Sequence, residues 1–333
     1  MYRDRIGLYQ ELEHNRNSKV ITYITGDRLG LETQIHPEVL DFLVDHLDAI
    51  GMVPKISLFL YTRGGQTIAA WSIANFIRQY CDDFEVIIPS KAHSAGTLIS
   101  LGANTIVMTK QATLGPIDPS VNTPLNPPIP NAPPNARVPV SVEAINGFIE
   151  LAKGIGIEDS ADLSAVMTTL SSHVHPLVLG EVYRTRSQIR MLGSRLLSKH
   201  MNDKEKIEKI LSFLCSESGS HDYTIYRQEA HEELGLNVEP PSEELYGVIK
   251  RIYDNIATEL QLTMPYNPDI LLSEQPQVPY NLVRALVESP TGGSHKFSSE
   301  GILRRQRIPD QNGVVQDAIQ DIRKFEGWKY ERL

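Results

Sequence analysis

Ser94 stands in a run of small residues, Lys91-Ala92-His93-Ser94-Ala95-Gly96-Thr97. The run lies between an apolar stretch, Phe84 to Ser90, that reads as a buried strand and a segment, Thr97 to Ala103, that reads as an apolar helix. A hydroxyl at such a junction faces the unpaired N–H groups and the positive dipole end of the helix, a setting that favours developing negative charge and suits a nucleophile. The plain structural alternative is that Ser94 only caps the helix. Roughly thirty residues upstream, Ile56 to Tyr61 reads as a strand that runs into Thr62-Arg63-Gly64-Gly65-Gln66 and then a helix. Twin glycines let backbone approach a ligand closely with positive φ. Acyl transfer needs an activated nucleophile and backbone donors aimed at the tetrahedral oxyanion. Gly64 or Gly65, with the N–H of Ala95, supplies those donors; an ordinary strand-to-helix turn is the alternative.

The elements that must position these residues alternate regularly. Lys19 to Thr25 reads as a strand, Pro37 to Ile50 as an amphipathic helix, Lys55 to Tyr61 as a strand and Thr67 to Tyr80 as a helix. Phe84 to Pro89, Thr97 to Ala103 and Thr105 to Thr109 continue as strand, helix and strand. Short apolar strands separated by helices imply right-handed crossovers and a mostly parallel sheet covered on both faces. Functional groups gather beyond the carboxyl ends of such strands, where the glycine pair and Ser94 both fall.

Composition excludes several classes. With 333 residues and 41% hydrophobic content the chain buries a full core, and its formal charge of −9 argues against a nucleic-acid binder. Two cysteines, Cys81 and Cys215, make neither a disulfide framework nor a metal motif, which points to a reducing, cytoplasmic setting. No window reaches the roughly 18 apolar residues of a membrane span, and the charged start, Met1-Tyr2-Arg3-Asp4-Arg5, is not a signal peptide.

The succession of strand, Gly-Gly turn, helix, strand, Ala92-His93-Ser94-Ala95-Gly96, helix, strand and Leu114-Gly115-Pro116-Ile117-Asp118-Pro119 resembles the Clp/crotonase fold in its serine-peptidase branch. It is most similar to the serine dehydrogenase proteinase family, with signal peptide peptidase A and the Clp protease proteolytic subunit as more distant relatives. The likeness covers roughly residues 18 to 240, including Asp222 to Ala230 and Leu234-Gly235-Leu236, similar to the element that closes this fold. The resemblance implies an α/β, Clp/crotonase-like (ββα superhelix) core. It also implies Ser94 as nucleophile, Gly64 or Gly65 with Ala95 as oxyanion hole, no cofactor, a protein or peptide substrate, and a homo-oligomer.

The proton acceptor departs from the Clp pattern. Where the Clp subunit carries its histidine this chain reads Ile117-Asp118-Pro119-Ser120, although Asp222 stands at a Clp-like spacing for the triad aspartate. His175, in Ser172-His173-Val174-His175-Pro176, precedes a long helix from Pro176 to about Lys199, has a suitable unperturbed pKa, and lies in a segment resembling the serine dehydrogenase proteinase pattern. It ranks first, with a helix cap as its alternative. Lys153 ranks second, at about the distance after serine at which signal peptide peptidases place a lysine; it would need desolvation to act as a base. His221, beside Asp222, ranks third. Asp118 is a further supporting candidate, its alternative being Asp-Pro turn chemistry. His93 points by alternation away from Ser94 and reads as packing. His173 and His175 lack the carboxylate or cysteine company of a zinc site, so no metal is expected.

Residues 115–139 hold nine of the 21 prolines and read as a polyproline-like loop, a lid or inter-subunit arm, without helix or sheet. Residues 1–240 are expected to form the peptidase domain and 241–333 a helical appendage. The function expected is an ATP-independent serine peptidase acting through an acyl-enzyme on Ser94. A crotonase-type acyl-CoA enzyme or a non-catalytic scaffold are the alternatives.

Overall fold

The apolar run Lys19–Thr25 forms strand β1 after a first helix, α1 (Tyr2–Arg16). Then α2 (Val39–Ile50), β2 (Val53–Tyr61), α3 (Thr67–Ile77) and β3 (Cys81–Ile88) alternate, each strand ending where its β-branched run meets a polar or glycine-rich turn. A two-residue strand, β4 (Lys91–Ala92), leads into α4 (Ala95–Leu101), and β5 (Thr105–Met108) follows. This computed structural model describes residues 1–118, 120–217, 222–309 and 315–331.

Next come the two-residue strands β6 (Thr113–Leu114), β7 (Ser120–Val121) and β8 (Val140–Ser141), and the helices α5 (Val142–Gly154), α6 (Ser160–His173), α7 (Pro176–Leu197) and α8 (Lys204–Ser212). The chain continues through β9 (Ile225–Tyr226), α9 (Arg227–Glu232), β10 (Val238–Glu239), α10 (Glu243–Leu260) and α11 (Pro268–Leu272). It closes with three long strands, β11 (Gln277–Ser289), β12 (Gly293–Pro309) and β13 (Val315–Glu331).

Eight strands make one mixed sheet in the order β10-β5-β3-β2-β1-β11-β12-β13. Neighbours from β10 to β1 pair in parallel, whereas β11 runs antiparallel to β1, and β12 and β13 follow antiparallel in turn. Leu43, Ile73, Leu98 and Leu196 pack on one face with α2, α3, α4 and α7. Tyr9, Phe59, Val248 and Ile252 pack on the other with α1 and α10.

Two expectations are corrected here. Residues 241–333 are not a helical appendage: beyond α10 and the short α11 they are β-structure that joins the main sheet through β1. The apolar run Tyr280 to Val287 is too short to distinguish helix from strand by periodicity, and the open edge of β1 decides it by offering a ladder. The proline-rich segment also carries some sheet, since β7 pairs with β8 and Pro128 bridges Arg137. There the buried Asn126 amide donates to the carbonyls of Val121 and Val138 at 2.7 and 2.9 Å, replacing backbone donors that proline lacks.

His46 of α2 is fully buried against the C-terminal strands, with Nδ1 2.8 Å from Ser289 Oγ and Nε2 3.1 Å from His295 Nδ1. Burial, then the neighbouring His295, pushes the His46 pKa down from 6.5 to about 3. Burial also lowers that of His295, despite Asp45 at 3.6 Å. The unfolded chain therefore binds more protons than the folded one between about pH 6.5 and 3. Stability is flat above pH 7 and falls as pH drops through that window. Urea midpoints at pH 7 and pH 5 check this, and His46→Gln reduces the difference between them.

Candidate functional site

Ser94 occupies the N-cap position of α4 with φ 51° and ψ −112°, and its side chain makes no capping hydrogen bond. A non-glycine residue in this region costs on the order of 1–3 kcal/mol, and such conformations cluster at functional sites. The hydroxyl is thus not engaged as a helix cap. The small residues around it have specific causes: a Cβ at Gly96 would lie 2.4 Å from Thr62 Cγ2. Thr97 Oγ1, 2.9 Å from the Ala92 carbonyl and 2.7 Å from that of Gly115, accepts from the Gly115 N–H and pins the turn from below.

The glycine turn meets the serine directly. A Cβ at Gly64 (φ 117°) would stand 2.8 Å from Ser94 Cβ and 3.3 Å from Ala95 N. Gly65 is clasped by Ile35, whose N–H donates to the Gly64 carbonyl at 2.8 Å and whose carbonyl accepts from Gln66 N at 2.9 Å. The Gly64 N–H donates to Thr62 Oγ1 at 2.9 Å, which is itself 2.6 Å from Thr25 Oγ1. That amide is already used. Of the two glycines, Gly65 is the one with an N–H left for a ligand among the described hydrogen bonds.

A cavity of about 230 Å³ opens at Ser94, lined by Asp27, Arg63, Lys91, His93, Ser94, Pro116 and Asp222. These groups come from the loops after the carboxyl ends of β1, β2 and β3 and from the closing segment, the position expected of a site in a parallel array. Lys91 Nζ pairs with Asp27 at 2.9 Å and lies 5.5 Å from the centre of the Tyr61 ring. The Tyr61 phenol donates to Asp27 at 2.6 Å, and burial, reinforced by that carboxylate, holds it in its neutral form. His93 is half-buried with Nε2 2.8 Å from Thr113 Oγ1. A larger cavity of about 1060 Å³ lies between α10 and β11–β13, but its charges are spent on one another, Lys296 with Glu259 and Glu331, Lys329 with Glu300.

The structure brings Ser94, Ala95, Gly64, Gly65 and Asp222 to one place and leaves other candidates elsewhere. His175 is exposed and caps α7, its Nδ1 accepting from Leu177 N at 3.2 Å. Lys153, also exposed, pairs with Glu150 at 2.8 Å. Neither lines the Ser94 cavity. Asp118 is buried with its Oδ2 accepting from Ser141 Oγ at 3.1 Å, where the proline-rich hairpin leaves the core. His221 lies outside the described residues. Asp27, Arg63 and Lys91 escaped sequence reasoning, although a position just beyond a strand's carboxyl end is a signal that applies to all three. Among the described residues, no group of three His, Cys, Asp or Glu gathers to hold a metal.

These features, a strained serine at a strand-to-helix turn against a glycine pair, bear directly on relationship. Residues 1–132 match the family of ClpP-like SDH-type serine proteinases. The resemblance drawn from the motifs is therefore shown for this part of the chain, which holds Ser94 and both glycines. A further relative is an uncharacterized protein of Methanocaldococcus jannaschii, 29% identical over 256 residues, spanning 74% of this chain and 77% of that protein. Another from the same organism is 33% identical over 125 residues, 35% of this chain and 42% of that one. Among solved structures, ClpP1 of Listeria monocytogenes overlaps with a TM-score of 0.38 at 15% identity, covering 72% of this chain and 99% of its own. A membrane-bound stomatin-specific protease overlaps at 0.26 and 20% identity, covering 41% and 64%. No described helix of this SDH-type relative is long and apolar enough to cross a membrane.

Proposed function

We propose that the chain is an ATP-independent, cofactor-free serine peptidase of the Clp type, with Ser94 as nucleophile. The observation that carries this reading is the backbone of Ser94, held at positive φ with its hydroxyl uncommitted to the helix while Gly64 packs on its Cβ. Ser94 Oγ attacks the scissile carbonyl and gives its proton to a base. The N–H groups of Gly65 and Ala95 stabilise the oxyanion, the protonated base delivers its proton to the leaving amine, and water releases the acyl group.

We assign proton transfer to an imidazole associated with the cavity, ranking His93 and His221 ahead of His175 and Lys153. His93 lines the cavity, and His221 is bonded to Asp222, which also lines it. The four alanine variants separate these roles. His93→Ala or His221→Ala is expected to lower kcat at least about 100-fold, the scale of general-base loss. His175→Ala and Lys153→Ala should stay within about threefold of the parent, because each makes only a local contact whose loss is worth little. A collapse of kcat in either of the last two would overturn the order.

A homo-oligomer is proposed from the arm α5–α7, where Leu151, Ile155, Leu177 and Tyr183 are each more than 60% exposed and α6 buries no residue. His175 and Lys153 sit on this arm. The two buried, free cysteines fit the reducing cytoplasm proposed for it.

Labelling with a fluorophosphonate probe tests the central assignment. Digestion and mass spectrometry should place the adduct on Ser94. Folded protein that acquires no adduct sinks the peptidase reading and favours a scaffold. Thioester hydrolysis that survives Ser94→Ala would point to crotonase-type chemistry instead.

A further inference from the structure

We propose that the three C-terminal strands set the conformation of the glycine turn through Arg284, the positioning residue of the oxyanion site, an inference that rests on the peptidase reading above. Arg284 sits where the β11–β12 register shifts between Val283 and Ala285. Such a bulge re-aims a side chain that regular pleating would send elsewhere. Here it turns the guanidinium onto the loop between β1 and α2. Nε donates to the Leu31 carbonyl at 3.0 Å and Nη2 to that of Glu32 at 2.8 Å. Nη1 reaches Ser299 Oγ and Glu326 Oε2, both at 3.1 Å. The backbone carbonyl of the same residue accepts from Gly26 N at 2.8 Å and Thr33 Oγ1 at 3.0 Å.

One residue therefore holds the loop at its start and its middle. Three positions beyond Glu32, the fully buried Ile35 clasps the glycine turn on both sides of Gly65. A Cβ at Gly65 would lie 2.4 Å from both N and O of Ile35, so any shift of Ile35 is transmitted to the Gly65 peptide. Trp328 of β13 adds a second tie, donating to Glu38 Oε1 at 3.1 Å just past the clasp. Arg284 suits the task because its planar fork reaches four acceptors at once, whereas a lysine offers donors from a single atom. The family match ends at residue 132, so this brace is supplied by a part of the chain outside it.

The experiment uses full-length Arg284→Ala and Arg284→Lys and measures the amide exchange of Gln66, the rate of fluorophosphonate addition at Ser94, and kcat and KM on a peptide. In Arg284→Ala, Gln66 exchange is expected to accelerate at least about tenfold while β2 amides keep their protection, as for a local opening. Labelling and kcat should fall together by about 10- to 100-fold, approaching the loss of one oxyanion donor, with KM within about threefold. Ethylguanidinium should restore part of the rate to Arg284→Ala, which a purely structural role does not predict. If the alanine variant does not fold, the lysine variant decides by the same measurements. Unchanged Gln66 exchange and labelling in folded variants would overturn the proposal. A parent that takes up no probe at Ser94 overturns the peptidase reading instead, and Gln66 exchange alone then judges the brace.

Discussion

Ser94→Ala is expected to fold with the parent's melting temperature and to hydrolyse peptide at least about 1000-fold more slowly, as loss of a catalytic nucleophile does. The two measurements must be read together, since only an intact fold makes the loss of rate a statement about chemistry. No hydrogen bond from the Ser94 side chain caps α4, so removing the hydroxyl leaves the helix terminus as it was. Gly64→Ala provides the complementary result. The added methyl would meet Ser94 Cβ at 2.8 Å and would sit at φ 117°, so the serine remains but its surroundings are displaced. Loss of activity in both variants ties the hydroxyl and the glycine turn into one site; activity retained in Ser94→Ala would remove it.

Arg5→Ala is expected to destabilise the protein by about 3–5 kcal/mol, the scale for stripping one partner from a buried ion pair. That is a large share of the roughly 5–15 kcal/mol that holds a typical domain together. Arg5 and Glu288 are both fully buried and joined by two hydrogen bonds of 2.9 and 2.6 Å. The same guanidinium reaches Asn255 and Glu259 of α10 at 2.7 and 2.6 Å, while Tyr9 and Ser294 complete the Glu288 carboxylate at 2.6 and 2.8 Å. Without Arg5 the carboxylate is left in the interior with neutral donors only. Urea unfolding measures the effect, and adding Glu288→Gln to Arg5→Met should recover part of it by removing the stranded charge. A change below about 1 kcal/mol, the range of exposed pairs, would contradict the description of this cluster as a buried tie.

The legible part of the site was the part written in local chain geometry. Gly64-Gly65 and Ala92 to Gly96 announce themselves because small residues are the only ones that fit where β2, β4 and α4 crowd together. Asp27 and Lys91 were not legible as a pair, since their contact joins positions 64 residues apart in sequence. His175 was misleading for a physical reason: an imidazole before a helix that begins with proline is equally good as a cap, and capping is what it does. In the fold, strands β1, β2, β3 and β5 emerge from uninterrupted apolar runs that no other element can accommodate. The C-terminal strands failed to emerge because their lengths depend on pairing with one another and with β1, information that no local window contains. Helix α1 was missed as well; its inward residues Tyr2, Arg5, Tyr9 and Leu12 mix charge with aromatics, and the buried arginine conceals the stripe.

The position of β1 in the strand order carries a consequence for biosynthesis. Its parallel partner β2 follows it after a single helix, but the partner on its other side, β11, emerges from the ribosome only after about 250 more residues have been made. A partly synthesised chain therefore shows a naked, apolar strand edge, the kind of surface that chaperones cover and that aggregates otherwise. The same delay keeps Ile35 unsupported by Arg284 until translation is nearly finished. A hydrolytic enzyme built this way withholds its competence from unfinished copies of itself.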